Sequence, residues 1–433
     1  MTFTDDKTER YRADQIADGK YNCKNNDLFN IHYKTPQKVC IYKIVYYNIT
    51  HCAFLQIRDL KFMSDFIFDL IYASGEHSAD MLYITRLNLP DPFVYMGNSE
   101  LRVAIVSDLE YDRAKANAPV GLTVRNQAEF GKLSSLEELI ESAAREYKVK
   151  TFRIPYDFPA GLAARLMRRK ISCTVCEKSF FPERSVKQQF EIDFIRHAMQ
   201  INEKAMQQAF DAIAAASVNR RGELVLDNEL VTSERLRSII DSTLAANDAV
   251  GAGTIAAAGV QSAMPHNRGE GVIFAHTPIV IDIFPRVNSS GYFGDLTRTV
   301  VKGKAPEIVQ KAFDAVKTVR DECKALIRAG IPGKIPYDHA LRRLTELGFP
   351  TGSNEKGFYG FFHGLGHGVG LEIHEAPRLS RNVEHLLLPN EIVTVEPGVY
   401  YPEWGGIRLE DLVAVRENDC ECLTSIDTFL EIA

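Results

Sequence analysis

Three acidic residues stand where an ionised side chain is costly. Each lies in a run of apolar and β-branched residues typical of a buried strand: Asp282 in 278–284, Glu396 in 391–396 and Glu410 in 407–413. Removing a carboxylate from water costs several kcal/mol unless a cation or hydrogen-bond donors compensate it. Any one of the three could be a core carboxylate bonded to backbone. Three in one region favour a shared cation site.

A fourth acid and a glycine-rich histidine segment extend this set of candidate ligands. Asp295 follows a glycine-containing turn, and the segment 362–374 contains His363, His367 and His374. Glycines at positions 364, 366, 368 and 370 surround the middle histidine and let the backbone approach a ligand closely. Carboxylates with imidazole form an oxygen-dominated metal site.

Other kinds of site fit the same stretch less well. A phosphate cradle needs GxGxxG or GxxxxGK[ST] spacing, which these glycines lack. The zincin motif HExxH fails because 374–378 reads His-Glu-Ala-Pro-Arg. The sequence also has no GxSxG, so a serine-hydrolase elbow has no candidate. The pattern favours a metal-dependent hydrolase.

Composition excludes several partners. The formal net charge of -6 gives no basic excess for nucleic acid. No apolar run is long enough to span a membrane. The first residues lack a secretory pattern, and with eight cysteines we expect a reducing cytoplasm. Cys173-x-x-Cys176 would need a second close pair to form a structural zinc site, and only Cys420-x-Cys422 is available.

The chain of 433 residues is too long for one compact core, so we expect two domains. Residues 1–62 form an extension without sustained periodicity, and we assign it no role. An α/β domain over 63–185 is predicted from strands at 81–85 and 103–107 and helices at 135–148 and 160–170. A second α+β domain over 186–433 opens with a long helix and contains helices at 232–246, 305–329 and 337–347.

At the candidate ligands the chain resembles the metallopeptidase family of methionine aminopeptidase, aminopeptidase P and prolidase. The resemblance rests on the order Asp, Asp, His, Glu, Glu and on the motifs Thr394-Val-Glu-Pro-Gly398 and Gly406-Ile-Arg-Leu-Glu-Asp411. It implies an α+β fold, with a pita-bread catalytic domain preceded by a creatinase-like α/β N-terminal domain.

The resemblance also implies roles for the site residues. Two divalent metal ions, most simply Mn²⁺ with Zn²⁺ or Co²⁺ as alternatives, would be held by Asp282, Asp295, His367, Glu396 and Glu410, with Asp295 and Glu410 bridging them. Glu396 would act as general base, His374 would stabilise the oxyanion, and His266 would orient the residue after the scissile bond. His363 matches a further active-site histidine, and Arg408 a residue that orients the acids.

The function implied is an exopeptidase that cleaves the Xaa-Pro bond of short proline-containing peptides. Aminopeptidase P and Xaa-Pro dipeptidase (prolidase) both fit, and a homodimer is implied. Two alternatives on the same fold are a metal-free binding module and a creatinase-like C-N hydrolase. The sequence departs from the family between Asp282 and Asp295, where twelve residues intervene and Ile283-Phe-Pro285 replaces small residues. This departure affects the pocket wall and thus substrate choice.

Overall fold

The computed structural model of the protein describes residues 67–433, and the predicted extension 1–62 lies outside the described residues. The first part of this range is a six-stranded sheet in the order β4-β3-β2-β1-β5-β6. Its strands are β1 Ile67–Ala73, β2 Phe93–Gly97, β3 Arg102–Val106, β4 Leu122–Asn126, β5 Thr151–Pro155 and β6 Ser172–Cys176. Only β2 runs antiparallel to its neighbours, so the connections between the other strands are crossovers.

Four α-helices accompany this sheet: α1 Ala79–Thr85, α2 Asp108–Asn117, α3 Leu136–Glu146 and α4 Ala160–Arg168. The predicted helices at 135–148 and 160–170 and the predicted strand at 103–107 are confirmed. The predicted strand at 81–85 is wrong, because these residues form α1. Ser78 caps that helix by accepting a hydrogen bond from the Met81 amide at 3.2 Å, and this local cap overrides the strand preference of the apolar residues.

The second part begins with the long helix α5 Gln189–Ala215. Its predicted apolar face is confirmed as buried core: Ile192, Ile195, Met199, Met206, Phe210 and Ile213 are each at most 3% exposed. The remaining helices are α6 Ser233–Ala245, α7 Glu307–Leu326 and α8 Lys334–Glu346, close to the predicted ranges. No helix of the described range is both long and apolar enough to cross a bilayer.

Two sheets of this second part position the candidate ligands. One has the order β11-β12-β14-β24 and the other β18-β17-β19-β22-β23. The first consists of β11 Ile255–Ala258, β12 Ile279–Ile283, β14 Leu296–Lys302 and β24 Glu431–Ile432. The second consists of β17 Gly366–Gly368, β18 Glu375–Leu379, β19 Ile392–Val395, β22 Asp411–Val415 and β23 Cys420–Cys422.

Short strands complete the chain: β7 Ser217–Val218, β8 Leu224–Leu226, β9 Glu229–Leu230, β10 Ala249–Gly251, β13 Pro285–Val287, β15 Gly352–Asn354, β16 Gly357–Tyr359, β20 Gly398–Tyr401 and β21 Gly405–Arg408. The predicted single strand at 407–413 is therefore wrong. The chain leaves β21, which pairs with β20, and enters β22, which pairs with β19. Glu410 lies in the step between them, where its amide donates to the Thr297 carbonyl at 3.0 Å.

Candidate metal centre

Asp282 lies in β12, a strand whose five residues are all buried, as its sequence predicted. One carboxylate oxygen, Oδ2, accepts a hydrogen bond from Arg408 Nη2 at 2.6 Å. The other, Oδ1, is buried and has no hydrogen-bond partner among the described residues. A buried, unpaired carboxylate oxygen is what a bound cation would satisfy.

Asp295 and Glu410 approach the same region from β14 and from the step between β21 and β22. Asp295 directly precedes β14, and Glu410 Oε2 accepts a hydrogen bond from Thr297 Oγ1 at 2.7 Å. Both carboxylates are almost fully buried, with exposures of 4% and 2%. The elements thus bring two acids that lie more than a hundred residues apart into one interior site.

His367 is the middle residue of β17 and faces these acids. Its Nε2 lies 3.6 Å from Asp295 Oδ2 and 3.3 Å from Glu396 Oε1. Its Nδ1 lies 3.2 Å from the Gly368 carbonyl oxygen. When Nδ1 donates its proton to that carbonyl, Nε2 is left with a lone pair directed at the acids, as in a metal-binding histidine.

The ligand atoms of Asp295, His367 and Glu410 all lie within 4.8 Å of one another. Glu396 follows β19 and adjoins this group through His367, while Asp282 lies close enough for its charge to raise the pKa of Asp295. The structure therefore brings the five residues predicted as ligands into one site, with three of them in the tight cluster.

The electrostatics of this site require compensation. Burial, reinforced by neighbouring acids, raises the pKa of both Asp295 and Glu410 well above the ordinary range. Burial also raises the pKa of Glu396 to about 8 and lowers the pKa of His367 to about 3. These shifts favour neutral side chains, so the acids can be ionised together only with added positive charge. The donor set and the unpaired Asp282 oxygen fit divalent cations.

Arg408, predicted to orient the acids, is buried against Asp282. Besides its bond to that carboxylate, it donates from Nη1 to the Tyr400 hydroxyl at 2.9 Å and from Nε to Thr297 Oγ1 at 3.3 Å. One guanidinium thereby fixes an acid of β12 relative to residues of β14 and β20. This is the arrangement expected of a residue that holds a ligand in place.

The three other predicted histidines surround the cluster at different depths. His363 is partly buried, with Nδ1 2.7 Å from the Gly364 carbonyl oxygen and Nε2 2.9 Å from the Tyr400 hydroxyl, and burial lowers its pKa to about 4. His374 is exposed, and its ring centroid lies 4.4 Å from that of His367. His266 is also exposed, and burial together with the smaller effect of His266 lowers the pKa of both His363 and His374.

A cavity of about 410 Å³ adjoins His374. Part of its wall comes from the loop after β1 and from α1. The rest comes from β13, from the segment that precedes Asp295 and from the turn 371–374. The lining residues are Glu76, His77, Ala79, Leu82, Arg286, Phe293, Leu371, Glu372, Ile373 and His374. Burial lowers the pKa of Arg286, which lies four residues after Asp282, and the charge of Glu76 partly opposes this shift. The departure expected between Asp282 and Asp295 falls on this part of the wall.

Two residues of the site were missed by sequence reasoning. The charge of Arg378 in β18 adds to the effect of burial in lowering the pKa of His367 and His374, and it opposes the effect of burial that raises the pKa of Glu396. The position of Arg378 only four residues after His374 was a signal that could have identified it. The buried Tyr400 hydroxyl contacts both His363 and Arg408, and nothing in its local sequence indicates that contact.

Comparison with known proteins agrees with this geometry. The model of metallopeptidase family M24 matches residues 193–417. The Xaa-Pro dipeptidase of Pyrococcus furiosus is 31% identical over 245 residues, which cover 56% of this chain and 64% of that protein. The Xaa-Pro dipeptidase of Pyrococcus horikoshii is 28% identical over 332 residues, which cover 74% of this chain and 83% of that protein.

The fold is also shared with solved structures. An X-Pro aminopeptidase from Thermotoga maritima superposes with a TM-score of 0.72 at 24% identity, covering 84% of this chain and 98% of that one. This likeness confirms the predicted α+β class, with a pita-bread catalytic domain and a preceding N-terminal domain. The family match spans slightly more than half of the chain and includes all five predicted ligands. The protein therefore belongs to metallopeptidase family M24, the family that the order of its acids and histidine indicated.

Proposed function

We propose that this protein is a metal-dependent exopeptidase that hydrolyses the bond between an N-terminal residue and proline in short peptides. The observation that carries the proposal is the buried cluster of Asp295, His367 and Glu410, with ligand atoms within 4.8 Å of one another. Membership of family M24 and the Xaa-Pro dipeptidases among the relatives support the same activity.

In this proposal Asp282, Asp295, His367, Glu396 and Glu410 would together hold two divalent cations. Four carboxylates and one imidazole make a hard site that suits Mn²⁺ and accepts Zn²⁺ or Co²⁺. The unpaired Oδ1 of Asp282 and the raised pKa of the buried acids support this assignment.

The cations would supply a water activated at neutral pH and would polarise the scissile carbonyl. Glu396 would take the proton of the attacking water and pass it to the proline nitrogen, which must be protonated to leave. His374, at the border between the cavity and the cluster, would donate a hydrogen bond to the carbonyl oxygen as negative charge develops there. His266, on the exposed side, would contact the residue after the scissile bond.

Two activities, which differ in the length of the peptide substrate, fit this site. We expect an aminopeptidase P-like activity that accepts peptides longer than two residues, with Xaa-Pro dipeptidase activity as the alternative. The similarity to dipeptidases of Pyrococcus favours the alternative, whereas the fold is equally that of the Thermotoga X-Pro aminopeptidase. The cavity beside His374 is the region whose extent would limit peptide length.

The test is to strip the protein with a chelator and to measure release of the N-terminal residue with and without Mn²⁺. The substrates are Xaa-Pro dipeptides, Xaa-Pro-Yaa tripeptides and the same peptides with alanine in place of proline. Turnover of tripeptides identifies an aminopeptidase, and turnover of dipeptides alone identifies a dipeptidase. His367→Ala should abolish turnover, whereas the control His339→Ala, which removes an α8 histidine paired with Glu322 of α7, should retain it.

Absence of turnover with any metal would refute the peptidase proposal. Tight peptide binding without hydrolysis would then favour a binding module, and metal-independent cleavage of another amide would favour a creatinase-like hydrolase. The expected homodimer and the expected cytoplasmic location stay predictions. Light scattering on the purified protein would test the first of these.

A further inference from the structure

The turn that carries His374 is folded around the carboxylate of the next residue, Glu375. Glu375 Oε2 accepts a hydrogen bond from the Glu372 amide at 3.4 Å, and the Gly370 amide donates to the Glu372 carbonyl at 3.1 Å. A side chain at Gly370 would overlap with the same carboxylate. The position of this carboxylate thus sets the shape of the turn.

Two cations from the segment before α5 hold that carboxylate. Lys187 Nζ lies 2.5 Å from Glu375 Oε1, and Arg184 Nη2 lies 2.9 Å from Glu375 Oε2. The Lys187 side chain is only 1% exposed and also donates to the carbonyl of Arg184 at 2.6 Å. Its own amide donates to the Asn390 carbonyl at 3.0 Å, so the lysine is anchored to the segment that enters β19.

Arg184 also reaches the N-terminal part of the described chain. Its Nη1 lies 2.7 Å from Asp80 Oδ1, in the first turn of α1, while its Nη2 lies 2.9 Å from Glu372 Oε2. Residues of α1 form one wall of the cavity beside His374, and the turn that contains Glu372 forms another. A single guanidinium therefore connects the two walls.

The charged composition of this ion cluster suggests that it fixes the geometry of the turn and does not merely hold two surfaces together. Taking the two cations and the carboxylates of Asp80 and Glu375 largely out of water is costly, and apolar packing often joins two surfaces with equal or greater stability. What the charged groups add is fixed geometry, since each hydrogen bond has a preferred length and direction. The cluster imposes that geometry on Glu375, the residue adjacent to His374. The ring centroid of His374 lies 4.4 Å from that of His367.

We propose that Arg184 and Lys187 are positioning residues that place His374 beside the metal centre through the Glu375 carboxylate, and that Arg184 links this placement to the first turn of α1. The catalytic consequence rests on the proposed function, because it assigns His374 to the developing oxyanion. That the ion cluster holds the turn in place does not depend on the proposed function.

The first test combines Lys187→Met with His374→Ala in a double-mutant cycle. In the otherwise native chain Lys187→Met should lower kcat roughly 10- to 100-fold, because small displacements of a catalytic group have effects of that size. The metal content should be unchanged, and Lys187→Arg should recover part of the loss. In the His374→Ala background the same change should cost less than about twofold, because the residue it acts through is gone.

The matched control is Lys302→Met, since Lys302 is also a buried lysine bonded to carbonyls, those of Ala214 and Ala433. It should leave kcat unchanged. An equal loss for Lys187→Met in both backgrounds, or no loss in either, would overturn the positioning role. If Lys187→Met does not fold, Glu375→Gln keeps the side-chain shape and serves in the same cycle.

The second test reads the turn without any substrate. Hydrogen-deuterium exchange of residues 370–379 should be at least about 10-fold faster in Lys187→Met than in the unchanged chain, because the turn opens more often. Arg184→Met should accelerate exchange there and also in 79–85, whereas the control Arg153→Met, which removes a bidentate pair with Asp69, should not affect 370–379. Unchanged exchange would refute the inference, and a well-protected turn in a protein without peptidase activity would refute the proposed function alone.

Discussion

Metal binding should release a proton from Glu396, and the number released should fall steeply between pH 7 and pH 9. Burial raises the pKa of this carboxyl to about 8 in the metal-free protein, from an ordinary 4.5. A carboxyl must be ionised to bind a metal. A group with a pKa of 8 is about 90% protonated at pH 7 and about 10% at pH 9, so Glu396 should release about 0.9 and about 0.1 proton, respectively.

The same shift predicts how the stability of the metal-free protein depends on pH. An acid whose pKa is raised by folding stabilises the folded state at low pH, and this contribution is lost as the pH rises from 4.5 through 8. Between pH 7 and pH 9 Glu396 alone accounts for a loss of about 1.4 kcal/mol in the free energy of unfolding. The raised pKa of Asp295 and of Glu410 acts in the same direction.

The histidines do not cancel this effect in the chosen pH range. Burial lowers the pKa of His367 to about 3 and of His363 to about 4, from an ordinary 6.5. Their cost to folding is present below the lowered values and diminishes up to 6.5, where the unfolded chain loses its protons. Above pH 7 their contribution is nearly constant.

The assay is titration calorimetry of Mn²⁺ into the chelator-stripped protein at pH 7, 8 and 9, in pairs of buffers with different ionisation enthalpies. The difference between buffers gives the number of protons released. The control is Glu396→Gln, which retains the other four ligands and any ionisation of bound water. Equal release at pH 7 and pH 9, or a variant that releases as many protons as the unchanged chain, would refute the electrostatic reasoning.

Three other changes test separate parts of the site. Gly366→Ala should lower the metal content and the melting temperature, because the added Cβ would overlap the Thr394 carbonyl oxygen. The control Gly161→Ala, within α4, brings its Cβ against only a flexible arginine and should not lower stability. A normal metal content in Gly366→Ala would contradict the prediction. Asp295→Asn should reduce the Mn²⁺ bound per chain but raise the melting temperature of the chelated protein above pH 7, because it removes a buried acid; a lower melting temperature after chelation would argue against burial as the dominant cost. Arg286→Met should raise KM for Glu-Pro more than for Gln-Pro, with little change in kcat. The reason is that the Arg286 guanidinium lines the cavity without an ion-pair partner in the described range and could bind the glutamate carboxylate of the substrate. Equal changes in KM for the two peptides would exclude that contact.

Misplaced charge made much of this site predictable from the sequence. Asp282 in an entirely buried strand needed compensation that local structure could not give, and the structure places it beside Arg408 and the acid cluster. Periodicity likewise located α5, since a single buried face determines which of its residues are apolar. Both signals are local, because each depends on residues within one element.

The features that sequence reasoning missed depend on contacts between distant segments. Lys187 and Glu375 are 188 residues apart, and neither residue type indicates a buried partner. The strand predicted at 81–85 failed for a related reason, because the cap at Ser78 and the packing of Met81 outweighed the intrinsic preferences of a short apolar run. The break in the strand predicted at 407–413 follows from which neighbour each half pairs with, which the sequence does not encode locally.

The glycines around His367 also restrict how the site could change under selection. A side chain at Gly366, Gly368 or Gly370 would overlap with Thr394, Ala376 or Glu375, respectively. Strand β17 therefore presents the His367 imidazole as its single side chain, and a library that randomises the strand would yield mostly inactive chains. New substrate preference would have to arise on the cavity wall, at positions such as 286, 371 and 373, where side chains border open space. The architecture separates a part of the site that tolerates almost no substitution from a part that remains free to adapt.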